Sequence, residues 1–287
     1  MTDTSVSIGG TIGFGFLSWL LALYVKRRGF FRWSPSQWNP SIFLWNPLLF
    51  FGLYFAVSLF AIKFLAPWVL RLEIPSPLNF CLLTSSIPFL QLACFLIALF
   101  LFSEPMRERI WKDPSQPISL AHNFKTAFLA WLVAFPTLSF VGNLLELLLY
   151  YGFGIKQIPD QTAVLFVKKS LEEPFCFPVL FATIAIATPF VEELLFRGAL
   201  QSFIRKHLGP KSAIWITAIC FALFHYTPEQ RAGNVVILGS LFPLALLLGF
   251  LYEKQRSLFA PILLHALFNG INLFALLIFG ETPCGPI

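Results

Sequence analysis

The sequence predicts an all-α, polytopic membrane protein with about eight transmembrane helices, forming one bundle around a membrane-embedded polar cavity. Three observations carry this. The 287 residues are 57% hydrophobic and only 12% charged, roughly half the charge of an ordinary soluble domain, and mean hydropathy is +0.76. The apolar residues gather in eight runs, most of them matching the roughly 20 residues that a helix needs to cross a bilayer. Charged residues mostly fall between the runs, and several of the exceptions gather in the later ones.

The runs lie near 8–25, 46–70, 78–102, 124–151, 175–203, 212–226, 234–252 and 259–279. The first follows a segment, Met1 to Ser7, that holds Asp3 and no Lys or Arg. Its positive cluster comes after the apolar run, the wrong order for a cleaved signal peptide. In the second run Lys63 snorkels to the interface or finds a partner, and Trp68 suits an interfacial belt. After the third run, residues 103–123 read as a cytoplasmic loop along the membrane interface, where Trp111 and the arginines fit. The fourth and fifth runs are long enough to tilt, kink or emerge from the lipid, and Pro136 and Pro189 supply sites for kinks. Tyr150 and Tyr151 close the fourth as belt residues. The connection 152–174 is the longest outer loop, with room for a short surface helix. The sixth run is short. No low-complexity tract or internal repeat interrupts the chain.

Loop charge sets the orientation. With the N-terminus outside, the inner loops hold Lys26, Arg27, Arg28, Arg32, Arg107, Arg109, Lys112, Arg205, Lys206, Lys211, Lys254 and Arg256. The outer loops hold Arg71, Lys156, Lys168, Lys169 and Arg231. Twelve against five places both termini outside. The net charge of +6 therefore marks inner loops and gives no reason to expect nucleic acid as a partner. The five cysteines, Cys81, Cys94, Cys176, Cys220 and Cys284, contain no C-x-x-C pair, so metal-binding cysteine spacing is absent and they read as small hydrophobes.

The exceptions to the charge pattern carry the chemistry. The fifth run contains Glu192, Glu193 and Arg197; the sixth ends in His225; the eighth holds His265, Asn269 and Asn272. A charge at the centre of a spanning helix costs about 2.5–3.5 kcal/mol on insertion scales. Glu193 and Arg197 stand at i and i+4, the order of an internal ion pair, whereas Glu192 is rotated by about 100° and points elsewhere. His265, Asn269 and Asn272 form one stripe, with Asn272 as packing glue. Phe221 lies one turn before His225. Counting about 1.5 Å per residue from the inner ends brings Glu192, His225, His265 and Asn269 to overlapping depths, so one pocket can hold them all. Asn143 and Glu146 are a separate puzzle: Glu146 lines the same cavity, pairs with Lys125, or marks a transport path.

A carboxylate beside an imidazole can take a proton from water, and a second His with an Asn can donate hydrogen bonds to a developing oxyanion. That set suits hydrolysis of a carbonyl compound, a peptide bond above all, without a Ser or Cys nucleophile.

Three segments resemble the CPBP family, which comprises the CAAX prenyl proteases and the bacteriocin-processing or immunity (Abi) membrane proteins. "EELLFR" at 192–197 resembles its E-E-x-x-x-R motif, "FALFH" at 221–225 its F-x-x-x-H, and "HALFN" at 265–269 its H-x-x-x-N. The resemblance divides one compact membrane domain into N-terminal helices and loops, 1–174, and a CPBP-like catalytic core, 175–280. It implies an intramembrane glutamic endopeptidase whose cavity opens to the cytoplasm. Glu192 would activate water with His225, His265 and Asn269 would hold the oxyanion, and Glu193 and Arg197 would be supporting. Two mechanisms are implied, one with zinc held by Glu192, His225 and His265 and one without metal; the lack of H-E-x-x-H favours no metal and no other cofactor. The partners implied are the bilayer and a membrane-associated or lipidated, prenylated peptide substrate. Two alternatives stay open: a non-catalytic scaffold or bacteriocin-immunity factor that keeps the fold, and a transporter that uses the buried carboxylates as relays.

Overall fold

The computed structural model describes residues 8–33, 45–115, 118–155, 158 and 162–279. The expectations for Met1 to Ser7, Lys156 and Cys284 lie outside them. Among the described residues every extended element is helical, and one isolated bridge, Lys112 with Ser257, stands apart. Seven helical stretches are long and apolar enough to cross a membrane.

The elements follow the apolar runs closely. They are α1 (Ile8–Arg27), α2 (Asn46–Val69), α3 (Ser76–Phe100), the short α4 (Glu104–Trp111), α5 (Leu120–Phe153) and the short α6 (Thr162–Ser170). The next stretch, Cys176–Phe224, is continuous for 49 residues. A straight helix of that length would run about 74 Å, far beyond a hydrocarbon core of about 30 Å. It is not straight. Gly209 adopts φ 80 and ψ 168, and Pro210 follows it. The positive φ costs a glycine little, and proline is well placed at the start of a new helix. The Phe196 and Phe224 rings then lie 5.3 Å apart, although a straight helix would separate them by about 42 Å. The chain therefore reverses, giving α7 (176–208) and α8 (210–224). With α9 (Gly233–Gln255) and α10 (Phe259–Phe279), eight apolar segments cross the bundle, as the sequence predicts. The sharp break falls at Gly209, not at Pro136 or Pro189.

Burial divides the helices. Only 11% of the apolar window in α1 and in α2 is buried, against 67% across α7–α8 and 56% in α9 and in α10. The last four helices form the core, and α5 packs against α9 and α10. Here Leu244, Leu248, Leu264, Ala218, Ala199 and Phe221 have no exposed surface. Packing of this density between helices supplies dispersion contacts that lipid cannot match.

The connection 152–174 does contain a short helix, α6, which packs into a core cluster through Val164 and Val167. The loop 103–123 is also tied to the bundle. In its α4, Ile110 is buried in the core and Trp111 packs against Phe190 and Phe259 at 5.2 and 5.9 Å. The loop is pinned by Leu258 N–H to Trp111 O and Asp113 N–H to Arg256 O, both 2.9 Å, and by the Arg256–Asp113 ion pair at 3.2 Å. Burial pushes the Asp113 carboxyl up, but hydrogen bonds from Ser115 and the Arg256 charge outweigh it and hold the group below its ordinary value. Glu146 cannot pair with Lys125: both lie on α5, 21 residues and therefore about 32 Å apart. Glu146 does not line the polar cavity either.

Candidate active site

Residues of α7, α8, α9 and α10 converge on one small cavity of about 30 Å³, lined by Thr188, Glu192, Phe221, His225, Leu241, Leu244, His265 and Asn269. That volume suits a water molecule with polar partners. All four residues that the sequence singles out for chemistry line it. Thr188, one turn before Glu192, and the leucines of α9 escaped the sequence reading; the i, i+4 relation to Glu192 was the available signal for Thr188.

Local backbone geometry aims the polar groups. The stretches Ala182–Ala187 and Leu194–Gln201 of α7 are π-helical and flank Glu192 and Glu193; such bulges are frequent at functional sites. In the first, Thr188 N–H bonds to Thr183 O, five residues back. The same register would send the next amide to Ile184 O, but residue 189 is proline and has no N–H. Asn269 fills the gap, its Nδ2 donating to Ile184 O at 3.0 Å. One N–H of the carboxamide is thereby fixed and the second is left free of that bond.

The two glutamates have different surroundings. Glu193 has no exposed surface, and its Oε1 accepts from Arg197 Nη1 and from His265 Nδ1, each at 2.9 Å. The Arg197 Nη2 donates to Ala245 O at 3.1 Å, and its guanidinium lies 4.7 Å from the Phe221 ring centre. Helical spacing reveals the Arg197 partner but not His265, which lies 72 residues on. Glu192 faces the cavity, and its buried Oε2 has no hydrogen-bond partner. That oxygen stands 4.0 Å from His225 Nε2 and 3.9 Å from His265 Nε2.

Tautomers follow from acceptors. The His225 Nδ1 lies 2.8 Å from Phe221 O, and a carbonyl only accepts, so Nδ1 carries the proton. Glu193, ion-paired to Arg197, likewise accepts from His265 Nδ1. When a ring carries a single proton, its Nε2 lone pair therefore turns toward Glu192. Glu192, His225 and His265 are the residues that would hold a metal. Two ligands on one tetrahedral zinc, each bonded at about 2.0–2.1 Å, stand about 3.3–3.4 Å apart, and the separations from Glu192 are wider. Among the described residues no group of three His, Cys, Asp or Glu is spaced for a metal ion. The set as folded does not fit zinc.

Comparison with known proteins places this region. Residues 174–271 match a family described as type II CAAX prenyl endopeptidase Rce1-like. Uncharacterized protein YpbD of Bacillus subtilis (strain 168) is 30% identical over 93 residues, 32% of this chain and 42% of YpbD. The UPF0177 protein in abiGi 5′ region of Lactococcus lactis subsp. cremoris is 34% identical over 96 residues, 33% of this chain and 38% of that protein. UPF0177 protein YaiH of Lactococcus lactis subsp. lactis (strain IL1403) is 32% identical over 110 residues, 38% of this chain and 42% of YaiH. The chain thus spans less than half the length of each of these relatives. No solved structure matches. The matched stretch contains all three motifs and every polar residue that lines the cavity, so the similarity to the Rce1-like family falls on the last third of this membrane protein and on its polar site.

Proposed function

We propose that the protein is an intramembrane endopeptidase in which Glu192, assisted by His225, activates water. One observation carries the reading: a buried carboxylate oxygen without a donor faces two imidazole Nε2 atoms across a cavity the size of a water. A buried acceptor left unmade is costly, and a water held between Glu192 and the rings would satisfy it.

In this reading Glu192 takes a proton from the water while its oxygen adds to the scissile carbonyl carbon. The carbonyl oxygen becomes an oxyanion. Asn269 donates to it with its second N–H. His265 donates from Nε2 when its ring carries both protons, with Nδ1–H held by Glu193. The tetrahedral carbon then expels the amine, and the proton passes to the departing nitrogen. The C–N bond breaks, water is consumed, and no metal is required. Glu193 and Arg197 position His265 and do not touch substrate. The substrate class the family suggests is a membrane-associated peptide, with prenylated C-termini among the candidates.

The test is a cleavage assay on folded wild type and Glu192→Gln in liposomes, offered prenylated C-terminal peptides and membrane-spanning peptides, with and without a strong zinc chelator. Cleavage by wild type, lost in Glu192→Gln and indifferent to chelator, is the expected result. Loss with chelator overturns the metal-free mechanism. Cleavage that persists in Glu192→Gln overturns the assignment, and a cellular effect that survives the same substitution points to a scaffold.

A further inference from the structure

We propose that a second, larger cavity at the basic end of the bundle binds one anionic phospholipid, whose phosphodiester meets Lys112 and Arg256 and whose headgroup hydroxyl meets Gln255. This cavity shares no lining residue with the one around Glu192, and the proposal does not rest on the peptidase reading.

The cavity holds about 250 Å³, against about 30 Å³ around Glu192. It lies where the end of α4, the start of α5 and the α9–α10 junction meet. Its lining divides by chemistry. Lys112, Gln255, Arg256 and Ser257 are polar; Ile118, Leu120 and Phe259 are apolar. The walls are fixed, because Lys112 and Ser257 face each other in the isolated bridge.

Two cations are available there. Lys112 Nζ stands 3.7 Å from Glu108, and both side chains are nearly half exposed, so that ion pair holds it weakly. Arg256 gives one Nη1 N–H to Asp113 Oδ2 at 3.2 Å. The other Asp113 oxygen is taken by Ser115, through N–H at 2.9 Å and Oγ at 2.7 Å. A guanidinium carries five N–H donors, so most of the fork is left for a ligand. The backbone of Arg256 is left-handed, φ 48 and ψ 41, just past the end of α9. Glycine is the usual residue at such a position. An arginine held there at a conformational cost is explained by work for its side chain. Ser257 Oγ accepts from Phe259 N–H at 3.2 Å, which sets the first turn of the 21-residue α10 against the cavity, and its dipole favours an anion at that end.

The ligand must also donate. Gln255 is 2% exposed. Its Nε2 donates to Thr126 Oγ1 at 3.1 Å, and that hydroxyl donates onward to His122 O at 2.8 Å. The amide orientation is thereby fixed, and Gln255 Oε1 is left buried with no donor. An unmade buried acceptor is costly, and a headgroup hydroxyl would satisfy it.

The apolar side commits the occupant to a lipid. Leu120 lines the cavity and is 63% exposed; Phe124 and Phe128 follow it at 51% and 43%. At i, i+4 and i+8 they form one outward stripe down a spanning helix, a track for an acyl chain that starts where the headgroup sits. A free phosphate ester would have no use for it. Basic pockets between spanning helices are headgroup sites in general. A bound headgroup would bridge the loop 103–123 to the α9–α10 junction and stabilise both.

The test uses the purified chain in phosphatidylcholine nanodiscs. Native mass spectrometry counts retained lipids, and a thermal midpoint in phosphatidylcholine alone checks that each variant is folded. Phosphatidylglycerol is the probe. Phosphatidylmethanol, the same diester without hydroxyls, and soluble glycerol 3-phosphate are the comparisons. Wild type is expected to retain one phosphatidylglycerol in preference to phosphatidylcholine and to melt at a higher temperature with it. Lys112→Ala combined with Arg256→Gly should weaken retention about 10–30-fold, the loss expected for two interfacial cations. Lys112→Ala alone, at a side chain the fold does not need, should weaken it about fivefold. Lys211→Ala, at the same end but outside the cavity, should change nothing. No preference for phosphatidylglycerol in wild type overturns the site. Equal losses in Lys112→Ala and Lys211→Ala overturn it too, as diffuse surface attraction. Phosphatidylmethanol retained as tightly overturns the Gln255 contact. Glycerol 3-phosphate bound as tightly as the lipid overturns the lipid as occupant.

Discussion

Two buried polar clusters lie on α7 about three turns apart, one around Glu192 and Glu193 and one around Gln201 and Arg205. Both face α9, and both are packed out of contact with lipid. In the second, the charges are matched: Arg205 meets Glu253, and Gln201 bridges Glu253 to the Gly249 carbonyl. In the first, Glu193 Oε1 is matched twice over, by Arg197 and His265; each glutamate keeps one oxygen with no donor, but only Glu192 lines the cavity. A helix spanning a membrane carries charge at a cost. Where partners meet the charges and no cavity adjoins them, the cluster holds helices together. Where an oxygen without a donor opens on a cavity, as only Glu192 does among these residues, chemistry is the better explanation.

The comparison can be broken in order of effect. Glu192→Gln should lower cleavage by about 10²–10⁴-fold, the range for a general base, with the thermal midpoint in detergent unchanged or raised. A large loss of stability instead would make Glu192 structural. Arg197→Met strands the Glu193 carboxylate in the core and should cost about 3–5 kcal/mol, read as a fall in unfolding temperature; a mild effect would mean that His265 alone satisfies Glu193. Glu253→Gln keeps the shape and removes the charge facing Arg205. It should cost about 1.5–3 kcal/mol while cleavage per folded molecule is retained, and a specific loss of turnover would erase the distinction between the clusters. Asn269→Ala should cost about 1–3 kcal/mol by freeing the Ile184 carbonyl and should lower turnover beyond what stability explains.

The smallest effect lies outside both clusters. Asp113 has a lowered native pKa, so its contribution is complete above the ordinary value of about 3.9 and is lost as pH falls through the lowered one. In Asp113→Asn that acid-side slope should vanish from the stability profile. A slope that persists would show that Arg256 gains nothing from the pair.

The helices were legible because each apolar run is a segment that lipid must cover, and Gly209–Pro210 sits where the fifth and sixth runs part. The shared pocket was legible through spacing and depth. The pairing of His265 with Glu193 was not, because i, i+4 arithmetic finds partners on one helix and the second partner stands on another. Nor was the task of Asn269 at Ile184 visible, since it depends on a π-helical register that only tertiary packing imposes. The contacts of the half-buried Trp111 were not legible either, because its aromatic neighbours, Phe190 and Phe259, are distant in sequence.

The reversal at Gly209 bears on how the chain enters the bilayer. Helix α7 brings two carboxylates and a guanidinium, and on insertion scales about 7.5–10.5 kcal/mol of penalty, to be set against apolar residues worth about 0.3–0.6 kcal/mol each. Released into lipid alone, it would be a poor spanning segment. The short link to α8 delivers a second arm beside it, and that arm carries Phe221, whose ring faces Arg197 at 4.7 Å. The pair can partition as one hairpin, with the guanidinium covered during synthesis before α9 and α10 have left the ribosome. A longer or looser link at Gly209 would therefore act first on biogenesis, as α7 lost to the aqueous side, and only afterwards on the folded protein.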